Sequence, residues 1–181
     1  MWEQDHQFEN GFVNALLTDW TVSGVHNWSS GNPLNFTMGT DVALDGTGGA
    51  GRQLAQLADG KTVDDIARDQ SSREDMIAAF FDKSAFATVT TLPRGIYGNV
   101  PKSAISGPAM AKSDIAVSRL FTIPGQQAMR LQFRGELFNA FNQVNFALPV
   151  TNASATNFGQ ITATRDGDPG RVGQLAIKLL W

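Results

Sequence analysis

A two-residue alternation of apolar and polar side chains between Met129 and Leu137 is the feature that most restricts how this chain can fold. The alternation separates two sets of residues: Leu131, Phe133, Gly135 and Leu137 against Arg130, Gln132, Arg134 and Glu136. Successive side chains of a strand point to opposite faces, whereas a helix would place Arg130 and Arg134 side by side as a like-charged pair. The pattern therefore predicts a β-strand with one apolar and one charged face.

The same alternation recurs near the C-terminus and upstream. Near the end of the chain, one set of alternate residues is Leu175, Ile177, Leu179 and Trp181, and the other is Gln174, Ala176, Lys178 and Leu180. Residues 113–122 also alternate, although Arg119 falls on the apolar side. Because Pro124–Gly125 is a typical reversal signal, residues 113–122 and 128–139 are predicted to form an antiparallel hairpin.

A weaker alternation covers residues 20–28. This strand either continues past Gly31–Asn32–Pro33 into residues 34–37 or ends near Pro33, since proline cannot donate a ladder hydrogen bond.

The stretch from Gly39 to Gly107 has a different character, because it opens with the glycine-rich segment 45–51. Thr62 with Asp65, and Ser72 with Asp75, have the three-residue spacing of capping boxes, which predicts two short helices. The second helix is expected to present one apolar face, formed by Met76, Ile77, Phe80 and Phe81. An excursion of this length between strands is usually functional.

The amino-acid composition excludes several classes of protein but leaves two folds open. The chain has 181 residues, no cysteine and a formal net charge of −3, so disulfide scaffolds and thiol nucleophiles are excluded and a nucleic-acid partner is not expected. No segment approaches the roughly 18–20 consecutive apolar residues of a membrane helix. Strands with one apolar face fit either a soluble sandwich or a membrane barrel.

The segments that resemble catalytic or metal-binding motifs are weak. Gly60-Lys61-Thr62 matches the end of a phosphate-binding loop, but no strand precedes it, so a helix start capped by Thr62 is favoured. Asp41 and Asp45 resemble a loose calcium loop without the EF-hand spacing, which favours a solvated turn.

The remaining candidates point the same way. Residues 166–170 are predicted to form a turn, and the two histidines, His6 and His26, stand far apart in the sequence. The carboxylate pairs 64–65 and 74–75 are explained by helix first turns. We therefore expect a protein that catalyses no reaction and that holds no cofactor or metal.

Several blocks of the sequence form an ordered set: GN at 98–99 followed by SGP at 106–108, SDIAV at 113–117, LQFRGELFNAFN at 131–142, NFGQIT at 157–162 and QLAIKLLW at 174–181. Taken in this order, they resemble the C-terminal barrel strands of TonB-dependent outer-membrane receptors, most closely the Oar-like acidobacterial kind, which carries an N-terminal carboxypeptidase-regulatory-like domain. Earlier blocks at 20–24, 30–34 and 81–86 are similar to upstream parts of the same region, and the resemblance covers nearly the whole chain.

The resemblance implies an all-β fold, namely four or five strands of an antiparallel transmembrane barrel of about 22 strands, with long extracellular loops carrying short helices. Residues 1–181 would be the C-terminal portion of a receptor in the bacterial outer membrane, with a long outer loop at about 40–110. The intact protein would take up a large scarce solute such as a siderophore, an oligosaccharide or a peptide. Its partners would be the rest of the barrel, an N-terminal plug, the TonB energy-coupling protein acting through that plug, the outer-membrane assembly machinery and the lipid bilayer.

The resemblance also gives each strand face a role. The expected lumen-facing residues are Arg130, Gln132, Arg134, Glu136, Gln174 and Lys178. The expected lipid-facing residues, which include the C-terminal assembly signal, are Leu131, Phe133, Leu137, Leu175, Ile177, Leu179 and Trp181. The alternative is a soluble, secreted β-sandwich that binds carbohydrate or mediates adhesion, whose apolar faces would pack against each other.

Overall fold

A computed structural model describes residues 2–3, 18–46, 53–123, 125, 129–165, 167 and 170–181. The described strands are β1 (Trp2–Glu3), β2 (Trp20–Ser29), β3 (Pro33–Leu34), β4 (Ile105–Ser106), β5 (Met110–Thr122), β6 (Arg130–Phe138) and β7 (Val172–Leu180). One α-helix, α1 (Arg73–Ala78), and two 3₁₀ turns, Val63–Ile66 and Lys83–Ala85, lie between β3 and β4. The regular secondary structure of the described residues is thus mostly antiparallel strand, with little helix.

The larger sheet has five strands in the order β1-β2-β5-β6-β7. β6 is its best-defined strand, since it pairs with β5 from Ile115↔Leu137 to Thr122↔Arg130 and with β7 from Arg130↔Leu180 to Phe138↔Val172. β2 runs antiparallel to β5, because His26 lies beside Ser113 while Trp20 lies beside Arg119. The predicted hairpin of residues 113–122 and 128–139 is confirmed, with β5 beginning three residues earlier at Met110.

The reversal between β5 and β6 is short. Ile123 N–H donates to the Met129 carbonyl at 3.2 Å, and Gly125 has a φ of +82°, a left-handed conformation that glycine adopts without steric cost. Pro124, the other half of the predicted turn signal, lies outside the described residues.

β2 ends at Ser29 rather than continuing to residue 37. Leu34 instead pairs with Ile105 in a separate two-stranded sheet, and Pro33 is the first residue of β3. Proline is tolerated at the first position of a strand because its missing N–H breaks no interior ladder bond.

The chain divides into two compact units. The first, here called the sheet unit, comprises the described residues of 1–28, 111–144 and 169–181; the second, called the loop unit, comprises those of 29–110 and 145–168. The loop unit is therefore built from the two long connections, the one between β2 and β5 and the one between β6 and β7.

Four phenylalanines form the centre of the loop unit. Phe36, Phe81, Phe86 and Phe158 are buried, and their ring centroids lie 4.8–6.5 Å apart. Leu34, Met38, Ile66 and Val100 complete a core that excludes water almost fully. This core explains why connections of such length can hold a defined conformation, since burial of these rings offsets the entropy of ordering a loop.

The helical segments are shorter than the capping patterns predict. The first is a single 3₁₀ turn, Val63–Ile66. In the second, the Asp75 N–H donates to Ser72 Oγ at 3.0 Å, as expected for an N-cap, but α1 ends at Ala78. The predicted apolar face through Phe80 and Phe81 is therefore wrong, because Phe81 lies beyond the helix, in the phenylalanine core.

Replacing Phe36 with alanine is expected to lower the free energy of unfolding of the loop unit by about 3–5 kcal/mol, because the ring is fully buried among three others. Pulse proteolysis of the full chain, scored at loop-unit cleavage sites, measures the change. Leu44→Ala is the matched control: Leu44 is 59% exposed, and its loss should cost less than about 0.5 kcal/mol. Equal effects of the two changes would contradict the assigned core.

Candidate functional site

The larger sheet separates its side chains into two faces. Residues directly opposite each other on neighbouring strands share a face, so the register of β5, β6 and β7 groups the alternating residues. The apolar face contains Ile115, Val117, Phe121, Leu131, Phe133, Leu137, Leu175, Ile177 and Leu179. The opposite, charged face contains Arg130, Gln132, Arg134, Glu136, Gln174 and Lys178.

Every residue expected to face lipid or lumen within β6 and β7 thus shares a face with the others of its set. Trp181 directly follows β7 and is 88% exposed. Leu175, at 91% exposed, and Ile177, at 64%, are similarly bare on the outer strand β7. Soluble domains rarely leave so many adjoining large apolar side chains uncovered.

Charges of both signs lie on the charged face. Arg134 donates from Nε and from one terminal nitrogen to Glu136 Oε1 at 2.9 and 2.7 Å. Lys178 is directly opposite Gln132. The neighbours of Arg134 across the sheet are small, Ser118 on one side and Ala176 on the other, which leaves the guanidinium half exposed.

Arg119 is the exception on the apolar face, where it lies opposite Phe133. Its guanidinium carbon is 4.4 Å from the centre of the Phe121 ring and 5.7 Å from that of Trp20. Only 4% of the residue is exposed, so the aromatic rings cover the cation and attract it through their π faces. These aromatic residues lie toward the strand end that leads to the short β5–β6 reversal.

A polar corner at the other end of β6 was not predicted from the sequence. Asn139 has a φ of +51° and is almost fully buried. Its N–H donates to Asp114 Oδ1, its Nδ2 donates to the Gln143 carbonyl, and its Oδ1 accepts from the Gln143 N–H, each at 2.8 Å. Asparagine tolerates the left-handed region better than most residues. The two asparagines of the segment 139–142, both with positive φ, are therefore the sequence feature that could have indicated this corner.

The candidate calcium ligands are held in a hydrogen-bonded turn, as the solvated-turn interpretation predicted. Asp41 accepts from the N–H groups of Asp45 and Gly46 at 3.2 and 3.1 Å, and from Gln53 Nε2 at 2.7 Å. Asp45 accepts from the Tyr97 hydroxyl at 3.0 Å. Across the described part of the chain, no group of three or more acidic or histidine residues is placed to hold a metal.

The segment that resembled a phosphate loop begins a 3₁₀ turn. Thr62 donates from its N–H and from its hydroxyl to Asp65 Oδ2 at 2.8 and 2.9 Å, and these bonds lower the pKa of Asp65 below its ordinary value. Lys61 Nζ also contacts the Asp65 carboxylate, at 3.4 Å. The lysine and threonine that would bind phosphate are thus engaged with a carboxylate.

His26, one of the two histidines, is part of the contact between two strands of the larger sheet. His26 Nδ1 and Ser113 Oγ hydrogen-bond at 2.8 Å, which links β2 to β5. His6 lies outside the described residues, as do Asp166 and Asp168 of the predicted turn. No helix among the described residues has the length and hydropathy needed to cross a membrane.

An antiparallel sheet with one mainly apolar face, one charged face and connections of very unequal length has the pattern of a membrane β-barrel wall. A comparison with protein families supports this class: the model of the outer membrane beta barrel domain matches residues 2–174. The chain belongs to that family, and the protein is located in the bacterial outer membrane. The comparisons with curated proteins and with solved structures return no match.

Family membership decides between the two folds that the sequence left open. The predicted antiparallel barrel segment is confirmed, and the alternative of a soluble, secreted sandwich is wrong. In the described structure the larger sheet is open, with β1 and β7 as its outermost strands.

Tyr97 offers a spectroscopic test of the Asp41–Asp45 turn, because it is the single tyrosine in the chain. The hydrogen bond to Asp45 and the negative charges of Asp45 and Asp41 raise its pKa above the ordinary 10.0. A raised folded-state pKa stabilises the fold below pH 10 and stops doing so as the pH rises through the folded-state value. Titration of tyrosinate absorbance should show this raised pKa, which Asp45→Asn should lower and Asp59→Asn should leave unchanged; an unshifted midpoint in the parent chain would contradict the bond.

The two faces can be compared with adjacent substitutions in β5. Val117 lies on the apolar face opposite Gly135, whereas Ala116 lies on the charged face opposite Glu136. Arginine in contact with lipid near the bilayer midplane costs about 2–4 kcal/mol, so Val117→Arg should destabilise the full-length protein folded in phospholipid vesicles by that amount. Ala116→Arg, placed beside a carboxylate, should change it little. A similar cost at both positions would show that the faces are wrongly assigned.

Proposed function

We propose that the chain forms barrel wall and outer loops of a TonB-dependent active transporter for a large, scarce solute, and that it catalyses no reaction. The observation that carries the proposal is the asymmetry of the connections between strands. β5 and β6 are joined by residues 123–129, whereas β2–β5 and β6–β7 are joined through a loop unit with its own core. Outer-membrane barrels have short periplasmic turns and longer extracellular loops.

A loop unit with its own hydrophobic core is more useful to a receptor, which must recognise a solute, than to a passive pore. Loops that only surround a pore need no hydrophobic core, whereas a rigid surface can recognise a solute before it enters. The phenylalanine core and the hydrogen bonds that fix the Asp41–Asp45 turn supply this rigidity.

The open sheet supports the need for further barrel strands. A membrane barrel requires about eight strands or more, and unpaired backbone groups in a bilayer cost several kcal/mol each. We infer that β7, with its exposed outer side and apolar face, pairs with another strand of the intact barrel, and that its C-terminal residues are recognised by the outer-membrane assembly machinery. The sequence resemblance to TonB-dependent receptors supports the same arrangement.

The charged face of the sheet is proposed to line the lumen of the barrel. Residues of both signs, among them Arg134, Glu136 and Lys178, would contact a plug inside the barrel through hydrogen bonds. The plug would in turn connect to the energy-coupling protein.

The test of this proposal is energy dependence of uptake. Cells producing the full-length gene product are given three labelled probes in parallel: a ferric catecholate, a neutral heptasaccharide and a hexapeptide. The proposal predicts accumulation of one probe in the periplasm, abolished by a protonophore or by deletion of the energy-coupling protein. Equal entry of all three probes without energy would show a passive pore and contradict it.

A further inference from the structure

The loop unit contains a concave surface of about 780 Å³ that none of the interactions described so far uses. Its lining comes from two segments, residues 56–59 and residues 86–96. All of it lies within the loop unit, on the connection between β2 and β5. We refer to this surface as the threonine groove, after Thr88 and Thr91 on its edge.

The floor of the groove is fixed by main-chain hydrogen bonds. Ala58 N–H donates to the Ala85 carbonyl and Ala87 N–H donates to the Gln56 carbonyl, both at 2.9 Å. Beneath this pairing, Phe86 belongs to the phenylalanine core. A floor held in this way loses little conformational entropy when a ligand binds, which favours affinity.

The edge of the groove carries prearranged hydroxyl groups. Thr88 Oγ1 lies 2.9 Å from Thr90 Oγ1 and 3.0 Å from Thr91 Oγ1, and Thr91 Oγ1 accepts from the Thr88 N–H at 3.1 Å. Each hydroxyl has one proton and two acceptor lone pairs, so a bonded cluster keeps acceptor sites for a ligand that donates O–H groups.

Two further polar side chains in the groove are available to a ligand. Within the described part of the chain, neither the side-chain amide of Gln56 nor the side-chain carboxylate of Asp59 takes part in a hydrogen bond or an ion pair. The amide can donate and accept, and the carboxylate can accept from two neighbouring hydroxyls. Asp59 is the single charged residue of the lining, so the groove has acceptors in excess and no cation.

Apolar surface lies between these polar groups. Leu57, Leu92 and Ile96 line the groove together with the hydroxyls, and Ile96 is half exposed. A sugar ring has the matching character, with C–H groups on its faces and hydroxyl groups around its edge. An anionic ligand such as a ferric catecholate would instead meet Asp59 with no compensating cation in the lining, which disfavours it electrostatically.

We propose that the threonine groove binds a neutral, hydroxyl-rich solute of the oligosaccharide class, with Gln56 and Asp59 as its hydrogen-bonding residues. This inference rests on the proposed transport function, since it names the class of solute that the outer surface recognises first. It adds a particular site and a solute chemistry to that function.

The test measures binding without transport, in outer-membrane vesicles that lack an energy source and contain the full-length protein. Fluorescent heptasaccharides of glucose, xylose and mannose are the probes, and a ferric catecholate is the anionic comparison. We expect saturable binding of at least one heptasaccharide, weakened about tenfold by Asp59→Asn and by Gln56→Met. Asp59→Asn replaces one acceptor oxygen with a donor and removes the charge that strengthens hydrogen bonds from ligand hydroxyls, and Gln56→Met removes the amide donor and acceptor. Asp64→Asn, which removes an exposed carboxylate outside the groove, should leave the affinity unchanged.

The outcomes separate the groove from the transport proposal. Loss of affinity confined to Asp59→Asn and Gln56→Met supports the groove even if no energised uptake is found, and in that case the transport proposal alone fails. Three outcomes would overturn the groove proposal, whatever the uptake assay shows. In the first, all three variants bind the heptasaccharide as the parent protein does. In the second, no heptasaccharide binds to protein whose loop unit resists protease, and in the third, the ferric catecholate binds more tightly than any heptasaccharide.

Discussion

The hydrogen-bond ladder that joins β5, β6 and β7 is the interaction on which the rest of the structure depends. In a bilayer, main-chain N–H and C=O groups find no water, so each must be satisfied by a neighbouring strand. The main-chain groups of β6 are satisfied on one side by β5, from Thr122↔Arg130 to Ile115↔Leu137, and on the other side by β7. The same register fixes which side chains face together, because a shift by one residue would exchange the two faces.

The two faces of the sheet carry different types of side chain. Leucine, isoleucine and phenylalanine lie on one side, and burying that side in lipid would be favourable. Arginine, glutamate, glutamine and lysine gather on the other, where Arg134 and Glu136 already form a close pair. Arg119 interrupts the apolar side, yet Trp20 and Phe121 cover it. Tryptophan and phenylalanine near a strand end are typical of the aromatic girdles at the membrane interface, where a long cationic side chain is least costly.

Much of the sheet could be predicted from the sequence, because strand periodicity is a local property. The alternations at 113–122 and 129–137, with the Pro124–Gly125 signal between them, are sufficient to predict the β5–β6 hairpin. The loop unit was different. Phe36, Phe81, Phe86 and Phe158 come from three distant segments of the sequence and follow no common period. Their packing in one core is therefore a tertiary property that no local pattern contains. The same reason explains α1, whose capping residues were recognised while its early end, set by the burial of Phe81, was not. The threonine groove was missed because its two sides come from segments that pair only in the folded unit.

We expect one face of the sheet to contact lipid and the other to face the barrel lumen. Because the chain has no cysteine, single cysteines can be placed at successive positions of β6 from 130 to 137 in the full-length protein. Each is spin-labelled and its collision rates with oxygen, which prefers lipid, and with a water-soluble nickel chelate are measured in membranes. The account predicts a two-residue alternation, with oxygen favoured at Leu131, Phe133 and Leu137 and the chelate favoured at Gln132, Arg134 and Glu136. A uniform profile, or an alternation of the opposite phase, would contradict it.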